Sequence, residues 1–171
     1  VQLKYSGGGL IFENSSDTQV LQSTFEQNSG GALQYVNSSN SVTSGSTFVQ
    51  NNSGGLRWHN SSFNRLEDSH FSGNEGAVCV GGSSNTIDGV TIEKNKTPSA
   101  INGECGNTTN LTISNSLVTK SEYQALYLRY ATNVLIQDSS FSQNEYEGNT
   151  LSIGYSSNAQ IRNTQISENK G

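Results

Sequence analysis

Any chemistry in this chain would have to come from a small set of side chains: fourteen carboxylates, two histidines and two cysteines in 171 residues. Cleavage of a sugar polymer calls for several carboxylates on one face, for acid–base or metal work, with a basic group close by. In the repeat frame set out below, Asp68 and Asp138 share a turn column but stand three coils apart, as do Glu26 and Glu93. Glu122 and Glu145 fall on adjacent coils as a like-charge pair with no third partner. His59 and His70 occupy different parts of one coil, so no nucleophile–base–acid set converges. The expectation is a non-catalytic chain with no metal site and no cofactor.

Other residues could be modified or could make contacts. Asn-x-Ser/Thr acceptors for glycans occur seven times, at Asn14, Asn37, Asn51, Asn60, Asn95, Asn107 and Asn110. Asn14, Asn37 and Asn60 each stand four residues after a repeating leucine, inside Asn-Ser-Ser. That column has two readings, stacked glycans or a structural ladder of turn asparagines. Asn107 and Asn110 complete the candidate acceptors, whereas Asn51 and Asn95 belong to a second motif whose inward direction would hide them. Cys79 and Cys105 lie 26 residues apart in neighbouring repeats, out of column by about three. A disulfide between them needs a bulge around Gly103–Gly106 to bring them together. Glu122-Tyr123 and Glu145-Tyr146 recur in register, Tyr130 stands above Tyr155, and Tyr127 and Arg129 point outward. Such a Tyr/Arg surface suits contact with sugar or protein, and stacked aromatics that only brace neighbouring coils are the competing reading.

The elements that must position these residues follow from an internal repeat. Small-plus-aliphatic pairs recur at Gly9-Leu10, Ala32-Leu33, Gly55-Leu56, Ala77-Val78, Ala100-Ile101, Ala125-Leu126 and Thr150-Leu151, with spacings of 23, 23, 22, 23, 25 and 25 residues. A second marker, an apolar residue three before Asn, falls once per repeat at Asn28, Asn51, Asn74, Asn95, Asn144 and Asn169; the fifth repeat has Ser121 instead. Apolar residues alternate within each repeat, which is the strand period. The Asn, Ser and Gly density would break helices. The sequence therefore predicts an all-β, single-stranded parallel β-helix of about seven coils, with three short strands per coil. Coils at strand spacing would stack over about 30 Å. Asn28, Asn51, Asn74, Asn95, Asn144 and Asn169 are expected to form an amide ladder, with Asp17, Asn40, Asn110, Asn133 and Asn158 as a second one. The paired glycines read as tight coil corners, since neither Lys-Ser/Thr nor a helix start follows them.

Composition fits a narrow core. Only 31% of the chain is hydrophobic and 13% charged, a pairing that disorder does not usually show. A net charge of −5 with no basic stripe argues against nucleic acid. No apolar run exceeds four residues, which leaves no membrane-spanning helix. The chain lacks an initiator Met and polar caps, and residues 1–171 are read as one β-helix segment of a longer protein.

Gly30-Gly31-Ala32-Leu33, Gly54-Gly55-Leu56 and the Phe-x-x-Asn tetrads resemble the paired motifs of polymorphic outer membrane protein passenger domains, the chlamydial-type autotransporter surface proteins. The match covers residues 8–77 and weakens beyond them. The resemblance implies a right-handed helix, an extracellular location and an adhesive or structural role. Partners would then be neighbouring coils or copies of the chain, or a host-surface protein or carbohydrate. Polysaccharide-binding or polysaccharide-cleaving β-helices of the pectate-lyase type are the rival class.

Overall fold

The computed structural model describes residues 1–96 and 99–170; Thr97 of the Asn95 acceptor motif, Pro98 and Gly171 lie outside them. The described chain winds as a parallel β-solenoid of about seven coils with three parallel sheets. Face one stacks Leu10–Glu13, Leu33–Val36, Leu56–His59, Val78–Val80, Ser99–Asn102, Gln124–Arg129 and Leu151–Gly154. Face two stacks seven strands from Gln19–Leu21 to Gln160–Arg162. Face three stacks eight, from Gln2–Lys4 to Gln165–Ser167. Coils four and five add a fourth short pairing, Gly82–Ser83 with Thr108–Thr109.

Most strands have three residues, and alternation turns the central one inward. Like residues therefore meet along the axis. Phe25, Phe48 and Phe71 stack with ring centroids 4.9 and 4.4 Å apart and planes within 4°. Face one contributes Leu33, Leu56, Val78, Ile101 and Leu126, and face two Leu66, Ile87, Ile113 and Ile136, all buried. Most strands end where one residue adopts left-handed backbone. Asp17, Asn40, Phe63, Ser84, Asn110, Asn133 and Asn158 form one such column, with φ between 51° and 58°. A non-glycine residue held there costs roughly 1 kcal/mol. Axial bonding continues through the turns and offsets that cost: the Asn14 and Asn37 N–H groups donate to Val36 O and His59 O, each at 2.9 Å.

Polar residues inside the narrow core are bonded along the axis. Asn51 accepts at Oδ1 from Asn28 N (3.2 Å) and Asn28 Nδ2 (2.8 Å), and donates from Nδ2 to Phe25 O (3.1 Å) and Asn74 Oδ1 (2.8 Å). The same bonds join Asn74 to Asn95 and Asn144 to Asn169. Between Asn95 and Asn144 stands Ser121, too short to continue the ladder. Its buried Oγ has no partner among the described residues, and Asn95 Nδ2 turns back to Glu93 O at 2.9 Å. Trp58 Nε1 is the other buried side-chain atom without a partner there. In the second asparagine column, side-chain bonds of 2.9 and 3.0 Å join Asn110, Asn133 and Asn158. Asp17 and Asn40 share its left-handed backbone, but Phe63 and Ser84 interrupt it. An interior pair, Asn64 and Asn85, makes a ladder bond of its own at 3.2 Å.

Candidate functional site

Coils three to five depart from the regular repeat, and their departures fit one another. Cys79 pairs with Asn102 and Gly82 with Thr108. Two residues separate the first pair from the second in coil four, against five in coil five. The longer stretch, Gly103–Asn107, folds back over the short coil. Cys105 O accepts the Asn60 N–H at 3.3 Å, the bond that the next coil supplies to Asn14 and Asn37. Only glycine permits this approach, because a Cβ on Gly81 would lie 2.1 Å from Cys105 O. Cys79 and Cys105 are joined by a disulfide with Cα atoms 5.7 Å apart, which ties the loop to the outer side of face one.

The tied loop walls a shallow cleft of about 320 Å³, bordered by Arg57, His59, Glu75, Asn102 and Glu104. Asn102, only 8% exposed, holds Glu104 by accepting its backbone N–H at 2.7 Å and donating to its Oε2 at 3.4 Å. Glu75, Glu104 and His59 thus border one depression, and they are residue types that general acid–base work draws on. His70 lies on face three, paired with Glu93 at 3.5 Å. Other carboxylates are engaged along the axis or at the surface: Asp88 accepts from Ser114 Oγ (2.7 Å) and Asn115 Nδ2 (2.8 Å), and Glu67 and Glu147 pair with Arg65 and Lys170. Glu122 and Glu145 share an open groove with Lys94 and Lys120, so the two like charges have cationic company. Those lysines occupy one repeat position, immediately before the ladder residue, which was the available sequence signal. Among the described residues no three His, Cys, Asp or Glu gather as a metal site.

The second cluster occupies coils six and seven. Tyr130 and Tyr155 stack at 5.3 Å, and the Arg129 guanidinium carbon lies 5.0 and 5.1 Å from their ring centroids. Tyr123 and Tyr146 stack at 5.6 Å at the other end of the Gln124–Arg129 strand, with half-buried Tyr127 between the two pairs. Tyr130 and Tyr155 follow face one as Asn14, Asn37 and Asn60 do, with φ of 56° and 52° against 47–49°. The Asn-Ser-Ser turns and the tyrosine turns are therefore one corner of the solenoid, with the disulfide loop between them. Of the glycan acceptors, Asn14, Asn37, Asn60, Asn107 and Asn110 are exposed. Asn51 and Asn95 are fully buried. Gly106 packs on Asn60, where an added Cβ would come within 2.5 Å of Oδ1.

A family model described as a right-handed β-helix region matches residues 8–109 and 58–171. No curated protein sequence matches the chain. Among solved structures, one from Parabacteroides merdae, provisionally described as a glycosyl hydrolase, superposes with a TM-score of 0.67 at 13% identity, over 86% of this chain and 82% of that one. QnrB1, a plasmid-mediated fluoroquinolone resistance protein, gives 0.35 at 11% identity, over 93% and 92%.

Proposed function

Because the chain belongs to the right-handed β-helix family, we propose that it serves as a non-catalytic extracellular segment of a surface rod, adhesin or filament. The observation that carries this reading is the exposed corner of Arg129, Tyr130 and Tyr155. Amphipathic rings and a guanidinium displayed on a rigid spine are the groups contact surfaces favour. The Cys79–Cys105 disulfide supports an oxidising compartment. Spacing between the carboxylates elsewhere supports a non-catalytic role, with Asp68 and Asp138 held on separate turns.

The cleft beside the disulfide favours a second reading, polysaccharide cleavage, for which Glu75, Glu104 and His59 would supply acid and base. Incubation with acidic and neutral polysaccharides separates the two. The structural reading expects no new reducing or unsaturated ends, and retention of protein-coated beads on glycan- or protein-coated surfaces. Specific turnover that Glu75→Gln or Glu104→Gln abolishes would overturn it. Electron microscopy of the native source addresses assembly, and dispersed monomers there would discard the filament variant.

A further inference from the structure

We infer that the corner formed by Arg129, Tyr130 and Tyr155 is an anion subsite for an extended acidic glycan, which lies along the coil-six strand and makes its second contact at Tyr123 and Tyr146. This rests on the adhesive reading above and names the class of ligand it would take.

The backbone makes the first argument. Asparagine suits a left-handed turn and occupies this corner in coils one to three. Tyrosine is a poor choice there, because a bulky side chain gains nothing from φ above +50°. Nor does burial explain it, since Tyr130 is 58% and Tyr155 77% exposed. Left-handed backbone alone is no signal, since exposed Tyr5 and Phe63 share it; what sets this corner apart is that its tyrosines recur on successive coils, stack and flank Arg129.

The second argument is electrostatic. Carboxylates outnumber lysines and arginines fourteen to nine. The four ion pairs among the described residues involve Lys4, Arg65, His70 and Lys170. Arg129 is in none of them, although the two rings hold its guanidinium in place. A held guanidinium with free donors is prepared for a planar or tetrahedral oxyanion.

Shape supplies the third. On coil seven, Ser152 pairs with Tyr127 and Gly154 with Arg129. No atom lies within 4 Å of where a Gly154 Cβ would stand. The small residues leave the flank of the coil-six side chains open at Gly154. Tyr123 and Tyr130 are seven residues apart, about 23 Å of extended strand, which suits a linear polymer touching both stacks. Between the aromatic pairs half-buried Tyr127 stands with Gln124 and Ser152, so the stretch is mixed, and a protein partner would call for a continuous apolar centre.

The test measures binding of an oligogalacturonate, a chondroitin sulfate oligosaccharide, neutral dextran and polyglutamate to the intact chain. Saturable, salt-weakened binding of an acidic glycan is expected, and the stronger of the two acidic arms identifies carboxylate or sulfate. Arg129→Lys keeps the charge but not the fork, and should weaken binding about tenfold or more. The double variant Tyr130→Asn/Tyr155→Asn should lose binding just as strongly while its melting temperature holds, since asparagine is native to this corner. Tyr123→Ala should weaken long oligosaccharides and spare short ones. Equal binding of polyglutamate, undiminished binding by Arg129→Lys, or no binding of either acidic glycan would overturn the inference. Adhesion that persists without acidic-glycan binding would discard this subsite and leave the adhesive reading standing. Cleavage of the bound glycan would instead discard the adhesive reading, with the Arg129 variants still deciding the subsite.

Discussion

Replacing Ser121 by Asn should stabilise the protein. The ladder runs through Asn28, Asn51, Asn74 and Asn95, and resumes at Asn144 and Asn169. Ser121 occupies the missing rung: its backbone N–H already donates to Asn144 Oδ1 at 3.1 Å, while its buried Oγ has no partner. An asparagine there would offer Oδ1 to Asn95 and Nδ2 to Asn144 Oδ1, and would give Asn95 Nδ2 the partner that Asn28 Nδ2 has at 2.8 Å. Removing an unsatisfied buried hydroxyl is worth about 1–3 kcal/mol and each new bond about 1 kcal/mol. Ordering the longer side chain costs roughly 1–2 kcal/mol. The balance is about 1–4 kcal/mol, or roughly 2–16 °C in melting temperature for a chain of this size. Thermal melts of Ser121→Asn and wild type give the comparison, with slower hydrogen exchange at the Asn95 and Glu122 amides as the local signature. An unchanged or lower melting temperature would refute the idea that the missing amide, and not a narrow cross-section, limits coil five.

Asn51→Ala removes the acceptor of two Asn28 donors and the donor to Phe25 O and Asn74 Oδ1, and should cost about 3–5 kcal/mol in chemical denaturation. Reduction of the disulfide, or paired replacement of Cys79 and Cys105 by Ser, should cost roughly 3.5 kcal/mol for a closed loop of this length. It should also speed exchange at the Asn60 amide, which donates to Cys105 O. Burial pushes the Tyr35 hydroxyl up to about 12, against a smaller opposing effect of its 2.9 Å bond to Thr43 Oγ1. Because the folded value is raised, stability is complete below about pH 10 and falls between pH 10 and 12 by about 2–3 kcal/mol. Tyr35→Phe should flatten that alkaline loss in denaturation followed by circular dichroism.

A solenoid is readable in one dimension because every axial contact joins residues one repeat apart. The spacing that places Phe25, Phe48 and Phe71 on one line of sequence also stacks their rings. The strand period, the coil number, the inward asparagines and the outward Tyr127 and Arg129 were legible for that reason. What the period could not supply is whatever depends on a change of register. Coil four is short and coil five long, and only the fold shows the surplus loop bonding coil three across the gap. The period does carry Tyr130 and Tyr155 to the corner of Asn14, Asn37 and Asn60, four residues after the repeating aliphatic, but that their rings close on Arg129 took the fold. It also brings Lys94 and Lys120 beside Glu122 and Glu145, and sets Asn64 against Asn85 in the interior. Repetition determined the coils by itself; insertions, side-chain reach and the direction of each turn required three dimensions, because they depend on distances that no fixed spacing encodes.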